Sequence, residues 1–393
     1  MTFYLPFLIA LMILAVIFRQ SAVLTVFYLL FGVYFGANWW SGHTLRAVAA
    51  RRTFQNRTFL NQKIPVELEL KNTSRLPVAW LQVHEALPLA LIAPPFLQTA
   101  VTILPRASAT LRYELSARRR GYYTLGPLRL LTGDLLGLTP EQETGGPEDH
   151  LTVYPQIVPM PAFNLWSRSP FGELRSTNPV FEDTNRPQGK RDYVIGDSPR
   201  RVDWKTSAAL GRLQVKTFQP SMSLDTMLCL DMDPAAYDPH LRLDLMEVAV
   251  IAAASTANRV IQQKQAVGLI TNGSDPLEEL DAFRRLSSGK GSGSLMSILD
   301  VLARVESGPE RPFLPLVRRE MARLAWGSTL VLITGNYPPE LDEAIFQARR
   351  MGFSAALLLV GLQPNLAAIQ QRARRYHFRV WNIRHQDELE ALT

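Results

Sequence analysis

The chain carries one cysteine, Cys229, which excludes an intrachain disulfide framework and a cysteine-based zinc cluster. No Gly-x-x-x-x-Gly-Lys-Ser/Thr string is present, so the phosphate cradle and lysine of a P-loop ATPase are missing. There is no His-Glu-x-x-His zinc helix and no Gly-x-Ser-x-Gly elbow, and the histidines are scattered without ligand spacing. The nearest phosphate-like loop, Gly289-Lys290-Gly291-Ser292-Gly293-Ser294, lacks Gly-x-Gly-x-x-Gly spacing and follows the helical-looking Phe283 to Leu286, which reads as a flexible loop. Cys229 lies inside the apolar strand Thr226 to Leu230 and reads as a small buried hydrophobe. Hydrolase and transferase chemistry therefore have no motif to carry them, and a protein without enzymatic activity is expected.

Acidic residues are also missing from the start of the chain. Six of the 42 lysines and arginines precede Glu67, the first of 35 acidic residues, so most of the net charge of +7 belongs to the amino-terminal segment and the remainder is nearly neutral. The apparent basicity is thus local, and nucleic acid is not an expected partner. Uncharged apolar runs from Met1 to Phe18 and from Gln20 to Trp40 flank Arg19. Each has about the ~17 to 25 residues of a spanning helix, and Tyr4, Trp39 and Trp40 stand where interfacial aromatics belong. Together they predict a transmembrane helical hairpin turning at Arg19-Gln20-Ser21; a cleaved signal peptide and a buried soluble hairpin are the competing readings. Arg46, Arg51, Arg52, Arg57 and Lys63 follow with no acid among them, and the positive-inside bias then keeps the bulk of the chain in the cytoplasm, at the inner membrane. The same residues are placed to meet anionic lipid.

At 393 residues and 47% hydrophobic composition the chain exceeds one average domain. From about Phe54 to Leu138 the apolar pattern has period two, as in Val66, Leu68 and Leu70 against Glu67 and Glu69, or Leu111, Tyr113 and Leu115 against Arg112 and Glu114. Asn72-Thr73-Ser74, Pro94-Pro95 and Gly126-Pro127 supply turns, so an antiparallel immunoglobulin-like sandwich is expected. Glu141 to Asp149 reads as a loop or linker and Val153-Tyr154-Pro155 as the start of an extended connector. Beyond it, short apolar strands alternate with helical patterns, the grammar of a mainly parallel sheet covered by helices on both faces. The expected organisation is a multi-domain membrane protein: a hairpin over 1–42, a β domain over 43–140, a linker and connector over 141–220, and a Rossmann-like α/β domain over 221–393.

The connector holds the densest polar string, Arg191-Asp192-Tyr193-Val194-Ile195-Gly196-Asp197-Ser198-Pro199-Arg200-Arg201-Val202-Asp203-Trp204-Lys205-Thr206-Ser207-Ala208-Ala209. Carboxylates and guanidinium groups alternate closely, so internal ion pairing is expected. One reading has Arg191, Asp197, Arg200 and Asp203 locking the connector against the α/β domain while Trp204 fills the seam. The other makes the string a partner-docking or ligand-sensing face.

This string resembles the signature of the domain of unknown function 58 family, Arg-x-Tyr-x-x-Gly-Asp-x-x-Arg-x-Ile-Asp-Trp-x-x-Ser-Ala, with Val202 in place of the usual isoleucine and Ala209 where an arginine often follows. Arg191, Tyr193, Gly196, Asp197, Arg200, Asp203, Trp204, Lys205 and Ser207 are its signature residues here. Arg120 to Pro127 and Asp134 to Leu138 look like that family's β-domain ending. The resemblance implies a membrane-anchored protein with a β domain and a carboxy-terminal von Willebrand factor type A-like domain. It also implies company: MoxR-type AAA+ ATPases and other type A proteins, with a role in assembling or maturing a complex and no assigned enzymatic activity.

Type A domains often hold Mg²⁺ through Asp-x-Ser-x-Ser after the first strand, and the matching positions here are Asp231, Asp233 and Ala235. The first carboxylate is kept, the first serine has become an acid, and the second has lost its oxygen. Thr334 stands near the place of the later aspartate, and Ser292 to Ser294 could supply hydroxyls. Asp231 and Asp233 are thus candidates for a degenerate Mg²⁺ site, or for capping the turn that follows. With an intact metal site and the opposite topology, the alternative function would be that of an outward-facing, metal-dependent ligand-binding or adhesion protein.

Overall fold

The computed structural model describes residues 4–18, 21–92, 98–133, 142–163, 182–220, 225–277, 284–308 and 311–392. The chain divides into two compact units, Met1–Gln156 with Leu299–Val305, and Ile157–Ile298 with Glu306–Thr393.

The first unit opens on α1 (Tyr4–Phe18) and α2 (Ser21–Arg46). With 26 residues at ~1.5 Å each, α2 reaches about 39 Å and exceeds the ~30 Å hydrocarbon core of a bilayer. By the same rise the 15 residues of α1 give about 22 Å. Among the described residues, α2 is the one helix long and apolar enough to cross a membrane. Arg19 and Gln20 of the expected turn lie outside the described residues, and Ser21 begins α2. The helix also runs four residues past the expected boundary at 42, because tertiary contacts hold its end. Trp40 Nε1 donates to the Pro77 carbonyl at 3.0 Å, Gln142 Nε2 donates to Asn38 Oδ1 at 3.1 Å, and Leu45 is buried with Leu68, Leu70 and Val78.

Eleven strands follow among the described residues: β1 (Val48–Thr53), β2 (Arg57–Phe59), β3 (Lys63–Asn72), β4 (Val78–Glu85), β5 (Leu91–Ile92), β6 (Gln98–Ile103), β7 (Ser108–Ala117), β8 (Gly121–Leu125), β9 (Leu128–Thr132), β10 (Gln142–Gly145) and β11 (Asp149–Tyr154). They form sheets ordered β1-β3-β7-β5, β10-β9-β4-β6 and β2-β11-β8. Every pairing is antiparallel except β2 with β11. The period-two pattern is realised in β3, where Ile64, Val66, Leu68 and Leu70 are buried between exposed Pro65, Glu67, Glu69 and Lys71. The boundary expected at 140 moves to 156. Gln142 to Gly145 pair with β9, and Leu151, Val153 and Tyr154 of β11 are fully buried, so this stretch completes the β unit. Pro94-Pro95, Asp134 to Leu138 and Glu141 lie outside the described residues.

Arg52 departs most from its sequence reading. Its guanidinium, expected in a positively charged collar, is buried in the β unit: Nε donates to Glu85 Oε1 at 2.7 Å and Nη1 to Asp149 Oδ2 at 2.5 Å and to the Leu125 carbonyl at 3.2 Å. Burial pulls its pKa down, but Glu85, Tyr113 and Asp149 more than offset that, and the group titrates above its ordinary range. Arg46, Arg51, Arg57 and Lys63 remain exposed.

In the second unit β12 (Glu182–Asp192), α3 (Trp204–Leu210) and β13 (Gln214–Pro220) form an arm, with β12 and β13 antiparallel. The rest is β14 (Thr226–Leu230), α4 (Arg242–Gln262), β15 (Val267–Thr271), β16 (Arg284–Gly289), α5 (Gly291–Arg304, which from Leu299 onward belongs to the first unit), α6 (Phe313–Met321), β17 (Thr329–Thr334), α7 (Pro339–Arg350), β18 (Ser354–Val360), α8 (Leu366–Arg375) and β19 (Arg379–Ile383). The sheet order is β16-β15-β14-β17-β18-β19, parallel except at the β16 edge. Strands β14, β15 and β17 are buried throughout, as their continuous apolar runs require. Leu316, Leu341, Ile345 and Ile369 of α6, α7 and α8 share one core with Leu332, Leu357 and Leu359 of the sheet. Cys229 is fully buried in β14 and burial pushes its thiol pKa up, so it behaves as a small core residue.

The helical look of Phe283 to Leu286 is overturned. Phe283 lies outside the described residues, and Arg284 to Gly289 form the antiparallel edge strand. The partner strand decides this: a Cβ on Gly268 of β15 would stand 2.8 Å from the Leu286 carbonyl oxygen, so glycine admits the close backbone approach that pairing needs. The expected loop Gly289 to Ser294 is corrected as well: Gly289 ends β16, Lys290 links, and Gly291 to Ser294 form the first turn of α5.

Candidate functional site

Two features of the second unit concentrate the polar chemistry. The first lies where β14, β15 and β17 end. In open parallel sheets ligands bind beyond the carboxyl ends of the strands, where helices leave on opposite sides of the first strand. Asp231 follows β14 and is 3% exposed. Its Oδ1 accepts from Asn272 Nδ2 at 2.9 Å and from the Asp233 amide at 3.0 Å, and its Oδ2 accepts from the Thr334 hydroxyl at 2.8 Å. Tyr237 Oη donates to the Asp231 carbonyl at 2.5 Å. Burial raises the Asp231 carboxyl to about 6, against the lowering effect of these three donors. A cleft of about 270 Å³ opens over this group, lined by Asp231, Asp233, Phe313, Leu314, Thr334 and Pro338.

The donor set does not fit Mg²⁺. Asp231 is already satisfied by three hydrogen-bond donors, Asp233 turns to accept from the Ala235 amide at 2.9 Å, and Ala235 offers no side-chain oxygen. Among the described residues no three His, Cys, Asp or Glu side chains converge on one point. Asp233 instead caps the 3₁₀ turn Pro234–Ala236. Ser292 to Ser294 sit at the opposite end of the sheet, where Ser294 Oγ donates to the carbonyl of Val267, the first residue of β15. The structure thus brings Thr334 to Asp231 and leaves those serines away. Sequence reading missed Asn272 and Tyr237; the polar run Thr271-Asn272-Gly273-Ser274 directly after an apolar strand is the signal that could have found Asn272.

The second feature is the arm, which holds every signature residue. Asp197 receives both Arg191 Nη1 and Nη2 at 2.6 Å and the Val194 amide at 2.9 Å. This is a bidentate fork closing a turn in which Gly196 takes φ +109, a region that favours glycine. Arg191 first, then the Val194 amide, hold the Asp197 carboxyl down to about 2. Asp203 caps α3 through the Thr206 amide at 3.1 Å and pairs with Lys190 at 2.9 Å, which brings its carboxyl down to about 2 as well, Lys190 leading. Ser207 Oγ donates to the Asp203 carbonyl at 2.7 Å and accepts from the Gln214 amide at 2.9 Å, tying α3 to β13. Tyr193 fixes the turn by its backbone, donating to the Leu213 carbonyl at 3.0 Å.

Every one of these bonds stays within the arm. The expectation that the signature locks the connector with Trp204 filling a seam is therefore corrected. Trp204 is 67% exposed and Ile195 97%, and Val194 and Leu210 are exposed too, because a two-stranded hairpin with a seven-residue helix has too little interior to hold them. Arg200 and Lys205 are exposed and make no ion pair among the described residues. The arm is a polar frame, pinned by its own carboxylates, that displays apolar and cationic side chains.

The model of the family described as "Protein of unknown function DUF58" matches residues 189–324, about a third of the chain, beginning within the arm. The uncharacterized protein YeaD of Bacillus subtilis (strain 168) is 28% identical over 181 residues, 45% of this chain and 43% of that protein, so the match spans less than half of that relative. Both support the resemblance to the family. Among solved structures, the conserved hypothetical protein BatB from Bacteroides thetaiotaomicron aligns over 43% of this chain and 94% of its own at 11% identity and a TM-score of 0.31. The CARDB domain of the PF1109 protein from Pyrococcus furiosus covers 27% of this chain and 91% of its own at 13% identity and a TM-score of 0.21.

Proposed function

We propose that this chain is a membrane-anchored interaction protein without enzymatic activity, which uses a type A-like α/β domain and its signature arm to engage a MoxR-type AAA+ ATPase during the assembly or maturation of a complex. The observation that carries the reading is the arm. Its carboxylates Asp192, Asp197 and Asp203 are taken up in internal bonds, while Ile195 and Trp204 stand open to solvent and Arg200 and Lys205 make no ion pair among the described residues. A catalytic site gathers reactive groups in a cleft; an exposed arm of this composition suits protein contact, where Trp and Arg carry much of the binding energy. The sheet order with a single antiparallel edge supports the type A-like reading. The length and apolarity of α2, followed by exposed Arg46 and Arg51, support an anchor with the bulk of the chain in the cytoplasm.

The test is co-purification of the full chain from its own membranes with the ATPase, in native form and as Ile195→Asp and Trp204→Ala. Retention should fall at least about tenfold in either variant, the usual cost of removing a central interface residue. Equal retention in all three, or reproducible absence of any ATPase, sinks the reading. Removal of residues 1–46 should move the chain from the membrane fraction to the supernatant.

A further inference from the structure

A third feature lies at the other end of the parallel sheet from the cleft. Helices α6, α7 and α8 lie on one face and run against the strands, so their carboxyl ends gather where β17, β18 and β19 begin. There the chain exposes Trp326 by 50%, Phe346 by 47% and Met351 by 45%. Two of these groups pack against a neighbouring element, Trp326 on Gly352 and Phe346 on Tyr376. The Trp326 indole lies on Gly352, the residue after Met351, where a Cβ would fall 2.0 Å from Nε1; Gly352 also has φ +85. The position therefore favours glycine on both counts. One turn back on α7, Phe346 meets the edge of Tyr376 at 6.0 Å, and Arg375 stacks over that tyrosine at 5.9 Å.

Arg323, Arg349, Arg350 and Arg374 are exposed in or just past the last turns of α6, α7 and α8, and none has a carboxylate partner among the described residues. The nearby acids are taken: Glu320 by Arg285, Glu343 by Arg318, and Asp342 by Arg372. Helix dipoles favour cations at helix carboxyl ends and account for the arginines singly. They give no reason to leave a tryptophan, a phenylalanine and a methionine in water beside them.

We propose that this surface docks an acidic protein segment that carries at least one apolar anchor residue. Composition selects this occupant. The cations named are all arginine, whose planar fork pairs with carboxylates bidentately, and the exposed apolar groups are Trp, Phe and Met, the types enriched at the centre of protein interfaces. A bilayer or a nucleic acid would be served equally by lysine. The proposal does not depend on the identity of the ATPase partner, nor on the arm.

The experiment places a photo-activatable benzoylphenylalanine at Phe346 of the full chain, in its own membranes, and sequences the adduct. The expected adduct is one Asp- and Glu-rich peptide of another protein. Made synthetically, that peptide should bind the full chain, with affinity falling at least about tenfold in Arg349→Glu/Arg350→Glu and when its own carboxylates are amidated. Arg349→Lys/Arg350→Lys should keep part of the affinity. Ile195→Asp in the arm should leave the adduct yield unchanged, which separates failure here from failure of the proposed function. Adducts to lipid, to nucleic acid or to a second copy of the chain overturn the proposal. So does no adduct, or equal binding by a folded charge-reversal variant, with fold checked by unchanged amide hydrogen exchange in β17 and β18.

Discussion

Arg52→Ala is expected to cost the β unit about 3 to 5 kcal/mol, the largest stability effect of any single substitution considered for this chain. The substitution removes a guanidinium whose side chain is 0% exposed and leaves Glu85, at 1%, buried without its cation. Burial makes an unpaired carboxylate far more costly than either the pair or an apolar replacement. Asp149 contributes less, since a third of its side chain still meets water. Arg52→Met combined with Glu85→Leu should regain most of the loss, because both charges then leave the interior together. Amide hydrogen exchange reads this locally: protection of β1, β4 and β11 should collapse in the single variant and return in the double. A single variant as stable as the native chain would show that the interior there is wet.

Asp231 governs the second large effect. Its carboxyl ionises near 3.8 in the unfolded chain and at about 6 in the folded one. Between those values the folded state holds a proton that the unfolded state has released, so stability falls as pH rises through the window and is level above it. The shift corresponds to about 3 kcal/mol, at ~1.4 kcal/mol per pH unit. Asp197 and Asp203 act oppositely and elsewhere: both are held at about 2, so their contribution is present above pH 4 and is lost as pH falls toward 2. In Asp231→Asn the fall between pH 4 and 6 should vanish, and at pH 7.5 β14 and β17 should open less readily than in the native chain. The gain will be smaller than 3 kcal/mol to the extent that the new amide competes with the Thr334 hydroxyl for an acceptor. Exchange protection measured at pH 4.5 and 7.5 decides it, and an identical pH slope in both proteins overturns the account.

What could be read from the residues alone was whatever depends on local period and composition. The alternation in β3 and the unbroken apolar runs of β14, β17 and β18 disclose their burial because side-chain direction follows from strand geometry. The signature string showed that carboxylates and guanidinium groups would pair, since they lie within a few residues of each other, and Asp233 was legible as a cap for the same reason.

Long-range partners were not legible. Nothing near Arg52 in sequence shows that Glu85 and Asp149 will meet it, separated as they are by 33 and 97 positions, so a buried ion pair reads as part of a basic collar. Asn272 and Thr334 reach Asp231 from 41 and 103 positions away, and only the strand order β15-β14-β17 brings them there. The edge strand β16 looked helical because its pairing is with β15, not with itself. Trp204 looked like a core residue because large aromatics usually are; the arm is too small to bury it. The lone cysteine by itself excluded an intrachain disulfide, and the acid-free start of the chain showed where the net charge lies. Which charges face solvent was left to the tertiary structure, because burial belongs to the packed whole and not to any segment of it.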